Sequence, residues 1–163
     1  MPDVVSPETR SQMMSGIQGK DTKPEVMIRK VLHRKGFRYR LHVKSLPGKP
    51  DLVFPKYRAI IQVNGCFWHG HNCHLFKWPS THPDFWRNKI LGNKERDGKN
   101  QLELEKLGWR ILTIWECAVK GKYRQPFEIL IEQISEWLAM NKSSNEMRGL
   151  VEEENMSQIR RGG

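Results

Sequence analysis

The sequence has no run of about 20 apolar residues, the length that a membrane-spanning helix requires, and no apolar secretory-type segment follows its first residues. We therefore expect a cytoplasmic protein that is neither exported nor embedded in a membrane. Cysteine is scarce, with three in 163 residues. An odd number of cysteines without an export signal argues against a disulfide framework. The length fits one domain with a hydrophobic core.

Negative charge is under-represented, since 28 Lys and Arg outnumber 18 Asp and Glu and give a net charge of +10. The excess is uneven. Residues 1–50 carry eleven basic and four acidic side chains (+7) and residues 51–100 carry eight and four (+4), whereas residues 101–140 carry five and six (−1). A basic region of this kind favours nucleic acid as the partner, the alternative being a basic soluble protein without such a partner.

Hydrophobic periodicity predicts an α/β domain around one mixed sheet. A thin amphipathic helix is predicted first, followed by a second helix that begins at the capping-box spacing of Thr22 and Glu25 and ends at Gly36. The remaining predicted elements are strands at 37–42, 51–55 and 58–64, a helix at 84–107, a strand at 109–115 and a helix at 126–139. The three consecutive strands are typical of a meander.

This pattern divides the chain into three parts. Residues 1–20 are predicted to be an arm that contacts a partner, because the apolar face of the first helix is thin. Residues 21–140 are predicted to form the domain. Residues 141–163 are polar with little periodicity and are predicted to be a disordered tail.

The segment 65–74 holds two thiols and three imidazoles, and thiolate combined with imidazole is typical of zinc sites. A structural zinc needs four protein ligands, and the remaining cysteine lies just past a predicted strand. The predicted ligands are Cys66, His71, Cys73 and Cys117. Spacing alone also permits His69 or His74 in place of His71. The alternative is a set of buried free thiols with surface histidines.

Polar residues at strand ends suggest a second, catalytic site. Asp51 opens one predicted strand and Asn64 ends the next, an arrangement that can hold Mg²⁺ for phosphodiester cleavage. The acid and lysine that restriction endonucleases commonly place on the second strand are missing, and a Pro-Asp pair by itself is a turn signal. His69 can transfer a proton near neutral pH. Glu25 can contribute a second carboxylate besides serving in the helix cap.

Aromatic side chains are frequent in the segment 65–74 and in the residues just after it. Phe67 and Trp68 lie between candidate ligands, and Trp78, Phe85 and Trp86 follow. Such side chains can stack on bases or enter between base pairs, and a mismatched pair costs less to open. Ordinary core packing is the alternative, and it suits three further tryptophans: Trp109, Trp115 and Trp137.

Long segments resemble the very short patch repair (Vsr) family of DNA mismatch endonucleases. They read TRSQMMSGIQGKDTKPE, LPGKPDLVFPKYRAIIQVNGCFWHGHNC, FWRNKI with the following N.ERD, and LGWRILTIWEC. The resemblance runs from about Thr9 to Leu138. It implies a restriction-endonuclease-like fold, a mixed sheet flanked by helices, with a structural zinc. It also implies nicking of duplex DNA 5′ to the thymine of a T:G mismatch that arises when 5-methylcytosine deaminates.

The resemblance extends to individual residues, and the predicted zinc ligands match those of the family. The other implied roles are Mg²⁺ binding by the Asp51 carboxylate and the Val63 carbonyl, proton transfer by His69, a water-mediated contribution of Glu25, entry into the base stack from the major groove by Phe67, Trp68 and Trp86, and approach from the minor groove by Met14 on the N-terminal arm. The implied partners are T:G-mismatched duplex DNA, MutL-type repair proteins and a DNA polymerase, for a monomeric protein associated with the nucleoid.

One position departs from the family pattern. Some members have histidine where this chain has Asn64, which can hydrogen-bond a phosphate or a metal-bound water but cannot titrate. Together with the missing lysine, this keeps open a non-catalytic zinc protein that binds mismatched DNA. A nuclease of the same fold that ignores mismatches is the other alternative.

Overall fold

The computed structural model describes residues 21–150, so the predicted first helix and Met14 lie outside the described residues. No helix in this part of the chain is long and apolar enough to cross a membrane. The helices and strands of residues 21–150 are, in order, α1 (Lys23–Arg34), β1 (Arg40–Leu41), β2 (Leu52–Phe54), β3 (Ala59–Asn64), α2 (Pro83–Lys106), β4 (Arg110–Trp115), α3 (Phe127–Ala139) and β5 (Asn145–Met147).

Helix α1 begins at the capping box predicted from the sequence. The Glu25 backbone N–H donates to the Thr22 hydroxyl oxygen at 3.4 Å, and the Val26 N–H donates to the Thr22 carbonyl at 2.9 Å. Gly36 follows the helix with a φ of +99°, a conformation that glycine adopts without strain. These local signals fix where the chain enters and leaves α1.

The strands form one mixed sheet in the order β1-β2-β3-β4-β5. The first three pair antiparallel, which confirms the predicted meander. Strand β4 pairs parallel with β3, as a strand reached through a crossover helix does, and β5 pairs parallel with β4. The result is a mixed α/β fold with three helices among the described residues.

The fifth strand lies in the segment that the sequence predicts to be a disordered tail. Asn145–Met147 pair with Leu112–Ile114 of β4, the Ser144 hydroxyl accepts from the Ile111 N–H at 2.9 Å, and the Trp137 indole donates to the Ser143 carbonyl at 2.8 Å. Backbone and side-chain hydrogen bonds hold this polar strand, so it leaves no hydrophobic periodicity to detect. Residues 151–163 of the predicted tail lie outside the described part.

Helices cover both faces of the sheet. Leu52, Phe54, Ile61, Leu112 and Ile114 belong to a buried cluster with α1 and α3, whereas Val53, Ile60 and Ile111 pack with Leu104 of α2. The central strands are therefore apolar on both faces, as β3 is in the sequence. Burial of the indole of Trp137 in the first cluster confirms its predicted core position.

The topology brings the residues of the predicted catalytic site and of the predicted zinc site to the same end of the sheet. Leu52 pairs with Ile61, so Asp51, just before β2, lies beside the end of β3. Asn64 pairs in parallel with Trp115, so the segments after β3 and β4 leave the sheet side by side. The carboxyl ends of parallel strands are a common place for functional sites.

Candidate metal centre and hydrolytic site

Two thiols and an imidazole lie together where β3 and β4 end. The Nδ1 atom of His71 is 3.5 Å from the Cys66 sulfur and 3.6 Å from the Cys117 sulfur. With Cys73, these residues place four ligand atoms within 4.8 Å of one another. The structure therefore assembles the four residues proposed as zinc ligands from the sequence.

The distances within this cluster suit a zinc ion. Tetrahedral coordination with Zn–S of about 2.3 Å and Zn–N of about 2.0 Å separates sulfur from nitrogen by about 3.5 Å. The two sulfur–nitrogen distances, 3.5 and 3.6 Å, agree with that separation. Cys66, Cys73 and Cys117 are free cysteines, so their sulfurs are available as ligands.

The structure distinguishes between the histidines that spacing left open. His74 is exposed, and its ring meets the Tyr123 ring edge-on at 4.8 Å. His69 turns towards α2, where its Nδ1 contacts the Asp97 carboxylate. His71 alone of the three is among the four grouped ligands.

The Trp-Glu-Cys sequence at the end of β4 supports the centre with all three side chains. Trp115 stacks on the His71 ring with centroids 4.0 Å apart and planes 7° apart. The Glu116 carboxylate accepts from the Cys66 N–H at 3.2 Å, and Cys117 supplies a sulfur. Trp115 is only half-buried, so its predicted position in the core is wrong: its ring packs on the candidate ligand His71 instead.

The pKa values of the two buried thiols shift in opposite directions. A hydrogen bond with Cys66 lowers the pKa of Cys117, and His71 and the Gly149 N–H lower it further. The pKa of Cys66 is raised by the same interaction with Cys117 and by burial. The Gly149 N–H reaches the Cys117 sulfur at 3.3 Å, so the segment after β5 helps to stabilise a thiolate.

Asp51 is the carboxylate at the meeting of β2 and β3. Its Oδ2 accepts from the Val63 N–H at 2.9 Å, and its Oδ1 lies 3.6 Å from Nδ1 of His42. Burial raises the pKa of Asp51 to about 6; the Val63 N–H opposes this rise, the Glu25 charge adds to it, and His42 and His69 also oppose it. A carboxylate held in this desolvated position is a hard oxygen ligand suited to a divalent cation.

A second carboxylate is completely buried near Asp51. Glu25 is 1% exposed, and its Oε2 lies 2.5 Å from Nη1 of Arg29 and 3.3 Å from Nε2 of His42. The same guanidinium nitrogen is 2.6 Å from Oδ1 of Asp21. Glu25 thus takes part in the helix cap through its backbone N–H, while its carboxylate belongs to the polar site.

His69 and Asp97 form a pair that joins the loop to α2. The carboxylate contacts Nδ1, which leaves Nε2 as the other nitrogen of the ring. Sequence analysis did not identify Asp97, because an acidic residue in a charged helix has no local pattern of its own. The segment N.ERD in the family resemblance contained its only signal.

Three aromatic side chains, two from the loop and one from α2, form a group of their own. Phe67, Trp68 and Trp86 lie with ring centroids 5.1 to 5.8 Å apart, and all three are half-buried. Asn93 donates to the Trp68 carbonyl at 2.9 Å, which ties the loop to the helix. Helix α2 also exposes six basic side chains: Arg87, Lys89, Lys94, Arg96, Lys99 and Lys106.

A buried Cys-His cluster, a carboxylate and histidine site beside it, and a basic surface with aromatic side chains are together typical of metal-containing nucleases. Comparison with known proteins gives the class a name. The family model described as DNA mismatch endonuclease Vsr matches residues 2–75.

Individual relatives match most of the chain. It is 44% identical over 138 residues to DNA mismatch endonuclease Vsr of Escherichia coli, covering 85% of this chain and 88% of the relative. It is equally similar to Type II nicking enzyme V.NmeAIP of Neisseria meningitidis, with 83% and 99% covered. Type II nicking enzyme V.XorIIP of Xanthomonas oryzae is 44% identical over 119 residues, with 73% and 88% covered. The chain belongs to the DNA mismatch endonuclease Vsr family, as the sequence motifs predict.

Proposed function

We propose that this protein nicks duplex DNA 5′ to the thymine of a T:G mismatch, the lesion left by deamination of 5-methylcytosine. Membership of the mismatch endonuclease family supports the activity. The observation that carries the proposal is the position of Asp51 beside the end of β3, where the Val63 N–H holds its carboxylate next to the strand that leads into the loop of His69.

Asp51 and the Val63 carbonyl are the proposed ligands of a catalytic Mg²⁺. When bound, this cation would offset phosphate charge and lower the pKa of a coordinated water. The Val63 N–H holds one Asp51 oxygen in place, which restricts rotation of the carboxylate. Burial disfavours the ionised carboxylate, and a cation would compensate for that desolvation.

His69 is the proposed proton-transfer residue. The contact of Asp97 with Nδ1 orients the ring and favours a proton on that atom, so Nε2 is the nitrogen available to accept or donate a proton. Asn64, at the end of β3, is proposed to orient a phosphate or water through its amide. Glu25 is proposed to act through water from its buried position behind Asp51.

The aromatic group provides a basis for mismatch selectivity. Phe67, Trp68 and Trp86 are proposed to enter the base stack, at a cost of a few kcal/mol per unstacked step that is smaller at a mispair. The exposed basic side chains of α2 would bind phosphates beside them without sequence preference. Met14 on the arm, outside the described residues, remains proposed to approach from the minor groove.

Zinc is proposed for the Cys66, His71, Cys73 and Cys117 centre. Four protein ligands leave no open position, so the metal would hold the loop in shape without taking part in the chemistry. The mixed sheet with helices on both faces is consistent with a restriction-endonuclease-like fold. MutL-type proteins and a DNA polymerase remain proposed partners, with a nucleoid location and a monomeric protein.

The test is a nicking assay on a labelled T:G duplex with and without Mg²⁺, beside a fully paired duplex. We expect one nick 5′ to the thymine that requires Mg²⁺, and Asp51→Ala should abolish it while duplex binding and zinc content are kept. A shifted band without a nick would indicate the non-catalytic binding protein. Equal cleavage of the paired duplex would indicate a nuclease that ignores mismatches.

A further inference from the structure

His42 lies in the hydrolytic site, although no sequence pattern around it predicts this position. It follows β1 directly with a φ of +46°, a left-handed conformation that is uncommon for residues other than glycine, although histidine adopts it more often than most. Its backbone N–H donates to the Asp51 carbonyl at 3.0 Å. This backbone pairing holds the histidine opposite the candidate catalytic carboxylate. Strained backbone conformations of this kind concentrate at functional sites.

Each nitrogen of the His42 ring faces a carboxylate. Nδ1 is 3.6 Å from Oδ1 of Asp51, and Nε2 is 3.3 Å from Oε2 of Glu25 and 3.4 Å from Oδ1 of Asp21. The side chain is 15% exposed. The ring therefore lies between the two carboxylates of the site and contacts both.

The other side of this acidic group is held by Arg29. Its Nη1 contacts the same Glu25 and Asp21 oxygens that face His42. Three ligand atoms of Asp21, Glu25 and His42 lie within 4.8 Å of one another, which is close enough for a cation. The Arg29 guanidinium already donates to one oxygen of each carboxylate, so the geometry favours an orienting role for the ring over a second metal site.

We infer that His42 is a positioning residue of the hydrolytic centre, which fixes the Asp51 carboxylate from the side opposite Val63 and connects it to Glu25. The Val63 N–H donates to Oδ2 at 2.9 Å, and Nδ1 of the imidazole lies 3.6 Å from Oδ1, an electrostatic contact that is longer than a hydrogen bond. Each carboxylate oxygen thus has a neighbouring protein group, which favours one orientation of the carboxylate towards a cation. This inference rests on the proposed role of Asp51 in binding the catalytic cation.

The backbone conformation dictates the test variants. His42→Gly removes the ring but accepts the positive φ, and His42→Asn also accepts it while keeping a donor close to the place of Nδ1. His33, exposed at the end of α1, gives the matched control His33→Ala. Alanine at position 42 is avoided because it would add backbone strain to the loss of the ring.

Nicking of a T:G duplex at saturating Mg²⁺ is the first measurement. We expect His42→Gly to lower kcat by about 10- to 100-fold, the effect of a misplaced catalytic group, with the KM for duplex and the melting temperature nearly unchanged. His42→Asn should recover most of the loss, and His33→Ala should match the wild type. A wild-type rate for His42→Gly, or a His42→Asn variant as slow as His42→Gly, would overturn the inference.

The second measurement separates this inference from the proposed function. Mn²⁺ binding to the protein–duplex complex, followed by electron paramagnetic resonance, should be weaker for His42→Gly than for the wild type and close to normal for His42→Asn. Equal Mn²⁺ affinity in all variants would overturn the positioning role. A wild-type protein that binds Mn²⁺ but does not nick would contradict the proposed function and leave the role of His42 standing on the binding data.

Discussion

Asp97 contacts Nδ1 of His69 across 28 positions of sequence and thereby fixes the loop after β3 against α2. The loop alone cannot orient the ring, because the backbone of His69 is held only by a turn in which its N–H donates to the Gly65 carbonyl at 3.2 Å. A helical carboxylate thus determines which ring nitrogen is free.

The first prediction concerns this pair. Asp97→Asn should lower kcat for nicking about 10- to 1000-fold, because an amide neither orients nor stabilises a charged imidazole as a carboxylate does; His69→Ala should lose about 10²- to 10⁴-fold. The double variant should be no slower than His69→Ala. Glu95→Gln, an exposed neighbour on α2, serves as the control. Additive losses in single-turnover assays would show that the two residues act separately.

The second prediction distinguishes the histidines of the loop. His71→Ala should lose zinc from the purified protein, measured by elemental analysis, and should unfold at a lower temperature, because metal binding is coupled to folding. His74→Ala should keep about one zinc per chain, since its ring meets Tyr123 and lies outside the four grouped ligands. Full zinc content in His71→Ala would exclude the proposed ligand set.

The third prediction uses two glycines as a matched pair. A Cβ on Gly149 would lie 2.6 Å from the Cys117 carbonyl oxygen and 3.0 Å from that of Tyr123, so Gly149→Ala should lower the free energy of unfolding by about 1–3 kcal/mol. It should also speed zinc loss to a chelator. Gly98 has open space at its Cβ within α2, so Gly98→Ala should stabilise the protein by up to about 1 kcal/mol in urea denaturation. The same effect for both substitutions would refute this packing argument.

The fourth prediction follows from the pKa of Asp51, which is raised from 3.8 to about 6 by burial. The folded state therefore binds a proton more tightly than the unfolded state. Protonation of Asp51 therefore contributes to the free energy of unfolding in full below pH about 4, and this contribution disappears as the pH rises through about 6. Asp51→Asn should be more stable than the wild type at pH 7.5 by up to about 3 kcal/mol, and the difference should shrink towards pH 4.

Urea denaturation without added divalent cation, at several pH values, measures this difference. Added Mg²⁺ should stabilise the wild type and leave Asp51→Asn nearly unchanged. A variant that is less stable than the wild type at pH 7.5 would contradict the idea that a desolvated carboxylate is kept for function at the expense of stability.

Much of the fold was predictable because each central strand has a strong apolar pattern and each helix has a local boundary signal. Thr22 and Gly36 mark the limits of α1, and short apolar runs mark β2 and β3, whereas the alternation at 37–42 corresponds to only the two residues of β1. Strand β5 was not predictable, since it is held by backbone pairing and by the Ser144 hydroxyl. A polar edge strand of this kind forms because a neighbouring strand offers backbone hydrogen bonds, and its own sequence does not show this.

The candidate site divides in the same way. Cys66 and Cys117 were predictable because thiols are rare in this chain and both lie just past predicted strands, whereas the choice of His71 over His69 and His74 required the fold. His42 and Asp97 were not, because a histidine at a strand end and an aspartate in a charged helix are ordinary residues until the fold places them beside Asp51 and His69.

The contact of Gly149 with Cys117 has a consequence for biosynthesis. Residues that are far apart in the sequence, from Cys66 to Gly149 after β5, meet at the candidate metal centre. A chain still on the ribosome would carry Asp51 and His69 before that closing segment emerged. The loop around His69 would be completed only when synthesis had passed position 149, so a partly made chain would lack the shape needed to cut DNA.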